Sequence, residues 1–309
     1  MSEIIYIDRE SGKQEVEKVY GQGLIKAMYG SGFLSSIASF FLRQIACKSP
    51  ILSHLYGFLQ KSSWSKRKIR PFIEEFQMDP SEFLSPLDSF TSFNDFFIRK
   101  LKPEARPIAT GEGVAILPAD ARYLIYPNIE ESDGFLVKGQ KFSLLELLQD
   151  SALAKRYANG SMVIARLCPT DYHRFHFPSD CITGKSKLLN GVLFSVNPLA
   201  LKKNIDIFSE NKRVVTELKT KEFGRILYIE VGATCVGGIV QTHQADHPCK
   251  KGDEKGYFSF GGSSLILLFE KDTIRFSQDL INTSKDRIEV KGLMGQPMGQ
   301  SVHLAEFCK

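Results

Sequence analysis

Between Tyr20 and Gln60 the apolar residues recur at helical spacing, with Phe33, Ile37, Phe40, Phe41 and Ile45 on an i, i+4, i+7, i+8 course. This pattern predicts an amphipathic helix. Its uninterrupted run ends at Arg43 and carries Ser35, Ser36 and Ser39, too short and too polar for the roughly 20 apolar residues that a bilayer span needs. Further helices are expected at residues 71–76 and 92–100. Beyond Pro107 the texture changes to short β-rich runs separated by glycine, at residues 162–167, 191–196, 213–218, 225–231 and 264–269. One helix interrupts them, opened by the capping box of Ser143 and Glu146 ahead of Leu144, Leu145, Leu147 and Leu148. The expected fold class is α+β. A helical, membrane-associating region, residues 1–105, precedes a mainly antiparallel β domain, residues 106–309, with the boundary where Lys102, Pro103, Arg106 and Pro107 break the helical pattern.

Composition adds limits rather than identity. With 43% hydrophobic and 24% charged residues, the chain can bury a core and has no reason to be disordered. The net charge of +5 is modest but uneven, since Lys61, Lys66, Arg67, Lys68 and Arg70 surround the single tryptophan, Trp64. Such a patch is either a solvated face or a contact for an anionic membrane; no nucleic-acid motif accompanies it. The six cysteines are scattered without a CxxC, and the early residues Glu3, Asp8, Glu10 and Glu15 fit neither a signal peptide nor an acid-poor presequence. Reduced thiols in a cytosolic setting are expected.

Two segments carry candidate chemistry. The first, from Pro169 to Pro178, holds Asp171, His173, Arg174 and His176 directly after an expected strand. Histidine moves protons near neutral pH, so a strand-end loop with two of them suits a catalytic site. It also suits a structural role, or less well a metal site with Cys168 or Asp171, for which no ligand framework exists elsewhere. The second runs from Gly256 through Gly261, Gly262, Ser263 and Ser264 into an apolar strand. Paired glycines permit backbone shapes closed to other residues and leave the Gly262 carbonyl open to the Ser263 hydroxyl, although glycine composition alone favours a plain bulge or tight turn between two strands.

These segments, with Phe93-Asn94-Asp95-Phe96-Phe97, the stretch Arg99 to Ile108, Val231-Gly232-Ala233-Thr234 with Val236-Gly237, and Lys251-Gly252 with Glu254, resemble the phosphatidylserine decarboxylase family in order and through most of the chain. The resemblance implies self-cleavage between Gly262 and Ser263 without a protease, which turns Ser263 into a covalent pyruvoyl cofactor and needs no metal. It implies large (1–262) and small (263–309) chains that remain associated, with a homodimer left open. By carry-over, Asp120 and His176 activate the Ser263 nucleophile, and His173 supports decarboxylation. Ala121 stands where the family has glycine after the aspartate.

On that resemblance the pyruvoyl group would form a Schiff base with phosphatidylserine and release carbon dioxide and phosphatidylethanolamine, at the cytoplasmic face of the membrane. Two rivals remain at this level. A serine hydrolase using Asp120, His176 and Ser263 lacks the G-x-S-x-G elbow. A non-enzymatic membrane-binding protein leaves the histidines and the Gly-Gly-Ser-Ser run unexplained.

Overall fold

The computed structural model describes residues 4–18, 57–130, 136–137, 140–141, 143–196, 201, 206–233, 238–261 and 263–305. The helix expected over residues 33–45 lies outside the described residues, as do Thr234, Val236, Gly237 and Gly262. The fold is α+β, with mostly antiparallel sheets and few helices.

An 11-stranded sheet forms the frame. At its middle the strand Ser263–Phe269 pairs antiparallel with Arg225–Gly232 on one side and Ser161–Leu167 on the other. Every residue of Ser161–Leu167 and Ser263–Phe269 is buried, because both faces of the sheet are covered. On one face Met162, Ile164, Ile229, Ile266 and Leu268 pack under the helices Leu144–Leu148, Ser151–Tyr157 and Ile207–Glu210. Ser143 caps the first of these by accepting from the Glu146 amide at 3.2 Å, as the capping box predicts. On the other face Leu265, Leu267, Tyr228 and Val163 meet Phe175, Phe177 and Phe258. These three belong to or flank a small sheet of Ile239–Gln241, Glu254–Phe258 and Arg174–His176.

Three local expectations change. Residues 5–16 are not helical: Ile5–Asp8 and Gln14–Val16 make a hairpin that joins the sheet edge, with Ile5–Asp8 parallel to Glu289–Gly292. The alternation of buried Ile4 and Tyr6 with more exposed Ile5 and Ile7 is the period-two signal of a strand. Residues 191–196 are not a strand beyond one bridge from Val192 to Asn211. The backbone groups of Phe194 are taken instead by the Asn211 side chain, which receives from the Phe194 amide and donates to the Phe194 carbonyl, both at 2.8 Å. The histidine segment, expected as a loop, contains the strand Arg174–His176.

A third core joins the helices Ile69–Phe76 and Phe93–Phe97 to the β domain. Ser92 caps the second helix through the Asp95 amide. Phe96 is enclosed by Phe72, Phe83, Phe90 and Phe93, with ring centroids 5.7 to 6.0 Å away. Phe260, two residues before Gly262, packs on Phe93 and Phe97 at 5.2 and 4.8 Å. Truncating a buried aromatic ring removes its burial and leaves a cavity. Phe96→Ala is therefore expected to lower unfolding free energy by about 3–5 kcal/mol, read by urea denaturation; a loss below about 1 kcal/mol would mean that this aromatic cap does not stabilise the fold.

Candidate active site

Ser263 opens the central strand, opposite Gly232 and Leu167, with its side chain buried. It shares a sheet face with Leu265, the face covered by the histidine strand. Just ahead, Gly261 has φ of 141°, a backbone shape that disfavours any residue with a Cβ. The Phe260 amide donates to Asn94 Oδ1 at 3.0 Å. The helix Phe93–Phe97 thus holds the approach to Ser263 by one polar and several aromatic contacts.

His173 is the histidine that meets Ser263. Its Nδ1 lies 3.4 Å from Ser263 Oγ, and its Nε2 lies 2.9 Å from the Cys168 carbonyl. A carbonyl only accepts, so Nε2 carries the proton and the Nδ1 lone pair faces the hydroxyl. Phe97 stacks on the ring at 3.9 Å. Burial, then the nearby Arg99 charge, pull the His173 pKa down to about 3.

His176 is three residues further along and has different partners. Its Nδ1–H donates to the Gly252 carbonyl at 2.9 Å, and its Nε2 meets the Tyr172 hydroxyl at 3.3 Å. Burial lowers its pKa as well, opposed by the Gly252 contact and by the charges of Glu254 and Asp120. No hydrogen bond joins it to Ser263 or Asp120 among the described residues. Asp120 is held by Arg106, whose Nη2 donates at 2.7 Å, and by the Met294 amide at 2.9 Å. The structure therefore brings Ser263 and His173 together and keeps Asp120 and His176 within electrostatic reach of each other.

Ala121 causes no backbone strain. It begins the strand Ala121–Tyr126 opposite Gly292 and is not among the residues with positive φ. The need for glycine falls on the partner instead, where a Cβ on Gly292 would strike Leu117.

Several supporting residues carried no pattern by which sequence reasoning finds their roles. Asp171 is fully engaged in structure: it pairs with Arg122 Nη1 at 2.6 Å, and its Oδ2 accepts from the Cys168 amide, also at 2.6 Å. This closes the turn that aims the Cys168 carbonyl at His173. Arg166 extends the network to Glu17 and Glu289. Arg174 pairs with Glu254 at 2.8 Å and donates to the Ile98 carbonyl. Only the acid next to the histidines hinted at such a scaffold.

Comparison with known proteins gives the chemistry its class. Residues 93–300 match the sequence profile described as phosphatidylserine decarboxylase. The chain is 50% identical over 296 residues to a phosphatidylserine decarboxylase proenzyme of Chlamydia pneumoniae, covering 96% of this chain and 97% of that protein. It is 48% identical over 302 residues to the proenzyme of that name from Chlamydia caviae, covering 98% and 99%. With that of Chlamydia trachomatis serovar L2 it shares 43% over 298 residues, covering 96% and 97%. The protein is a carboxy-lyase, a decarboxylase rather than a hydrolase or a binding module. It belongs to the phosphatidylserine decarboxylase family.

The depressed His173 pKa makes a stability prediction. The unfolded chain takes up a proton near pH 6.5 that the folded chain refuses until about pH 3, so this residue's contribution is intact above 6.5 and is lost as pH falls through that window. Between pH 6.5 and 4 the loss is roughly 3 kcal/mol. In uncleaved Ser263→Ala protein, replacing His173 by Phe should shrink the stability difference between pH 7 and pH 4 by about that amount. An unchanged difference in urea titrations would show that His173 titrates normally.

Proposed function

We propose that this chain is a self-processing precursor that cuts between Gly262 and Ser263 and then decarboxylates phosphatidylserine through a pyruvoyl group derived from Ser263. The observation that carries this reading is a buried serine, its hydroxyl facing a histidine lone pair at 3.4 Å, placed at the first residue of the central strand and directly after the Gly261-Gly262 pair. An enclosed hydroxyl is poorly accessible to an external ester but is adjacent to its own peptide bond.

In the cleavage step Ser263 gives up its proton as Oγ attacks the Gly262 carbonyl, which exchanges an amide for an ester; elimination then separates residues 1–262 from 263–309. A strand laddered on both sides stays in place when the bond before it breaks, so the two chains remain one assembly. The residues around position 263 suit a pyruvoyl group: Phe97 and Phe260 exclude water, and His173 supplies one proton-handling atom. The group would supply an electron sink for the pair left behind by carbon dioxide. No protein metal site is part of this scheme.

The histidines divide placement from basicity. His173 touches Ser263, but a site with a pKa of about 3 is a weak acceptor for a serine proton, because proton transfer is most effective near the operating pH. At His176 the lowering by burial is opposed by the Gly252 contact and by the Glu254 and Asp120 charges, which favours it as the maturation base once its ring turns from Tyr172. His173, with a free lone pair at position 263, then handles the proton of the decarboxylation step. Ser263→Ala is expected to leave one full-length chain, and Ser264→Ala to cut. His176→Ala should block cutting, and His173→Ala should cut but release carbon dioxide at least about 100-fold more slowly. Intact mass and carbon dioxide release check this. Cutting by Ser263→Ala would refute the cleavage site, and blocked cutting in His173→Ala alone would move the maturation base to the residue in contact.

A lipid substrate requires access to a membrane. Among the described residues no helix is long and apolar enough to cross one. Phe58, Leu59 and Trp64 are 71%, 48% and 58% exposed, next to exposed Lys61, Lys66, Arg67 and Arg70, with the Arg67 guanidinium 3.2 Å from the Trp64 ring centroid. Exposed aromatic groups flanked by cations suit a headgroup boundary, and we assign this patch to peripheral attachment. Phe58→Ser with Trp64→Ser should weaken vesicle co-sedimentation at all salt concentrations, and neutralising the lysines mainly at low salt. Unchanged binding by the folded aromatic double variant would exclude this patch as the contact.

A further inference from the structure

A cavity of about 490 Å³ opens beside the histidine segment, lined by Arg99, Arg106, Asp120, Arg122, Asp171 and Tyr172 among others. Its three guanidinium groups are not equivalent. Arg106 is paired with Glu82 and Asp120, and Arg122 with Asp171 and Glu17. Arg99 has no carboxylate in ion-pair distance among the described residues. It is 4% exposed, and only its Nη2 is bonded, to the Thr170 and Asp171 carbonyls at 3.2 Å each. Its Nε and Nη1 have no hydrogen-bond partner. The rings of Phe83 and Phe96, 5.1 and 5.0 Å from the guanidinium carbon, offset part of the cost of burying this charge. They leave two directional donors unused, and a buried donor without an acceptor is costly.

We propose that Arg99 is the anion-binding residue of this cavity and that it takes the phosphodiester of the substrate headgroup. This rests on the decarboxylase reading above. Arg99 follows Phe97, which stacks on His173, and its charge is felt at His173. One short stretch of chain therefore faces both the reacting position and the cavity. In a phosphoserine headgroup the amine and the phosphorus are separated by a short run of bonds, which fits that proximity. Nε and Nη1 lie on different edges of the guanidinium, each beside the Nη2 that the two carbonyls occupy, so either free donor can give a charge-assisted hydrogen bond to a phosphate oxygen. They are sealed from solvent, so binding displaces the guanidinium or Phe83.

The choice of phosphate over carboxylate follows from what each does during the reaction. A carboxylate loses its charge as carbon dioxide leaves, so a cation paired to it would stabilise the ground state more than the transition state. A phosphodiester keeps its charge throughout, so its binding lowers KM without opposing the chemistry. Arg99 is accordingly a substrate-binding residue whose loss separates KM from kcat.

The test compares wild type with Arg99→Met and Arg99→Lys, using samples whose cleavage at residue 263 is complete by mass. Short-chain phosphatidylserine in mixed micelles is the substrate, and inorganic phosphate and glycerol phosphate are the competing probes. Arg99→Met should raise KM by about tenfold or more, with kcat within about threefold, and should lose competitive inhibition by both probes. Arg99→Lys keeps the charge but not the placement of the guanidinium donors and should fall between. If Arg99→Met does not fold or cut, Arg99→Lys decides alone: wild-type KM and inhibition in that variant would overturn the assignment of the phosphate to the guanidinium donors. A fall in kcat with unchanged KM would also overturn it, and would place Arg99 on the carboxylate or on His173. Calorimetric titration with inorganic phosphate stands apart from turnover. Binding to wild type but not to Arg99→Met, without any decarboxylation, would keep the anion site and refute the reaction; turnover with no difference between the two proteins would do the reverse.

Discussion

The structure depends on one strand. Ser263–Phe269 lies at the centre of the large sheet, paired along its full length with Arg225–Gly232 and Ser161–Leu167, and apolar on both faces. A bond at the start of such a strand can break without releasing any rung of the ladder. Residue 263 keeps its position because its neighbours on both sides are fixed by backbone hydrogen bonds, not by its link to residue 262. A chemically altered first residue would remain beside His173, because the ladder and not the preceding peptide bond holds it.

Around this strand the charged interior serves orientation more than stability. Arg122, Arg166 and Asp171 are buried, and the half-buried Glu17 and Glu289 complete their ion pairs. Desolvation cancels much of the attraction in such clusters, whereas deleting one member leaves an uncompensated charge. What the cluster fixes is the Cys168–Asp171 turn, and through it the proton on His173 Nε2. Glu17 comes from the first hairpin, so the earliest described part of the chain is tied to the site. Lys255 and Glu230, fully buried at 2.5 Å, brace the small sheet against the large one in the same way.

The parts of this arrangement that were legible in the sequence are those governed by local rules. The capping box at Ser143, the apolar strand after Ser263, and the turn to β structure beyond Pro107 follow from side-chain periodicity and backbone propensity. The segment from Asp171 to Pro178 was visible as chemistry because two histidines in six residues are rare. What was not legible is non-local. Asn211 diverting residues 191–196 from a strand, Ile5–Asp8 finding a parallel partner nearly 300 residues away, and Phe97 stacking on His173 are tertiary choices without a sequence period. The contact of Ser263 with His173 is of that kind. His173 precedes the strand Arg174–His176 and His176 ends it, and only the fold decides which ring reaches residue 263.

That division of labour links the cation in the cavity to the reaction. His173 is kept neutral first by burial and then by Arg99. The first cause is permanent, but the second lasts only while Arg99 is uncompensated. An anion seated on Arg99 would oppose its field at the imidazole and raise the proton affinity of Nδ1, with burial still holding it below the ordinary histidine value. The site would then be a poor proton acceptor when empty and a better one when loaded, with the change confined to the atom that faces residue 263. Such coupling needs no moving domain: it needs one buried guanidinium, one buried imidazole and the short stretch from Phe97 to Arg99 that holds them together.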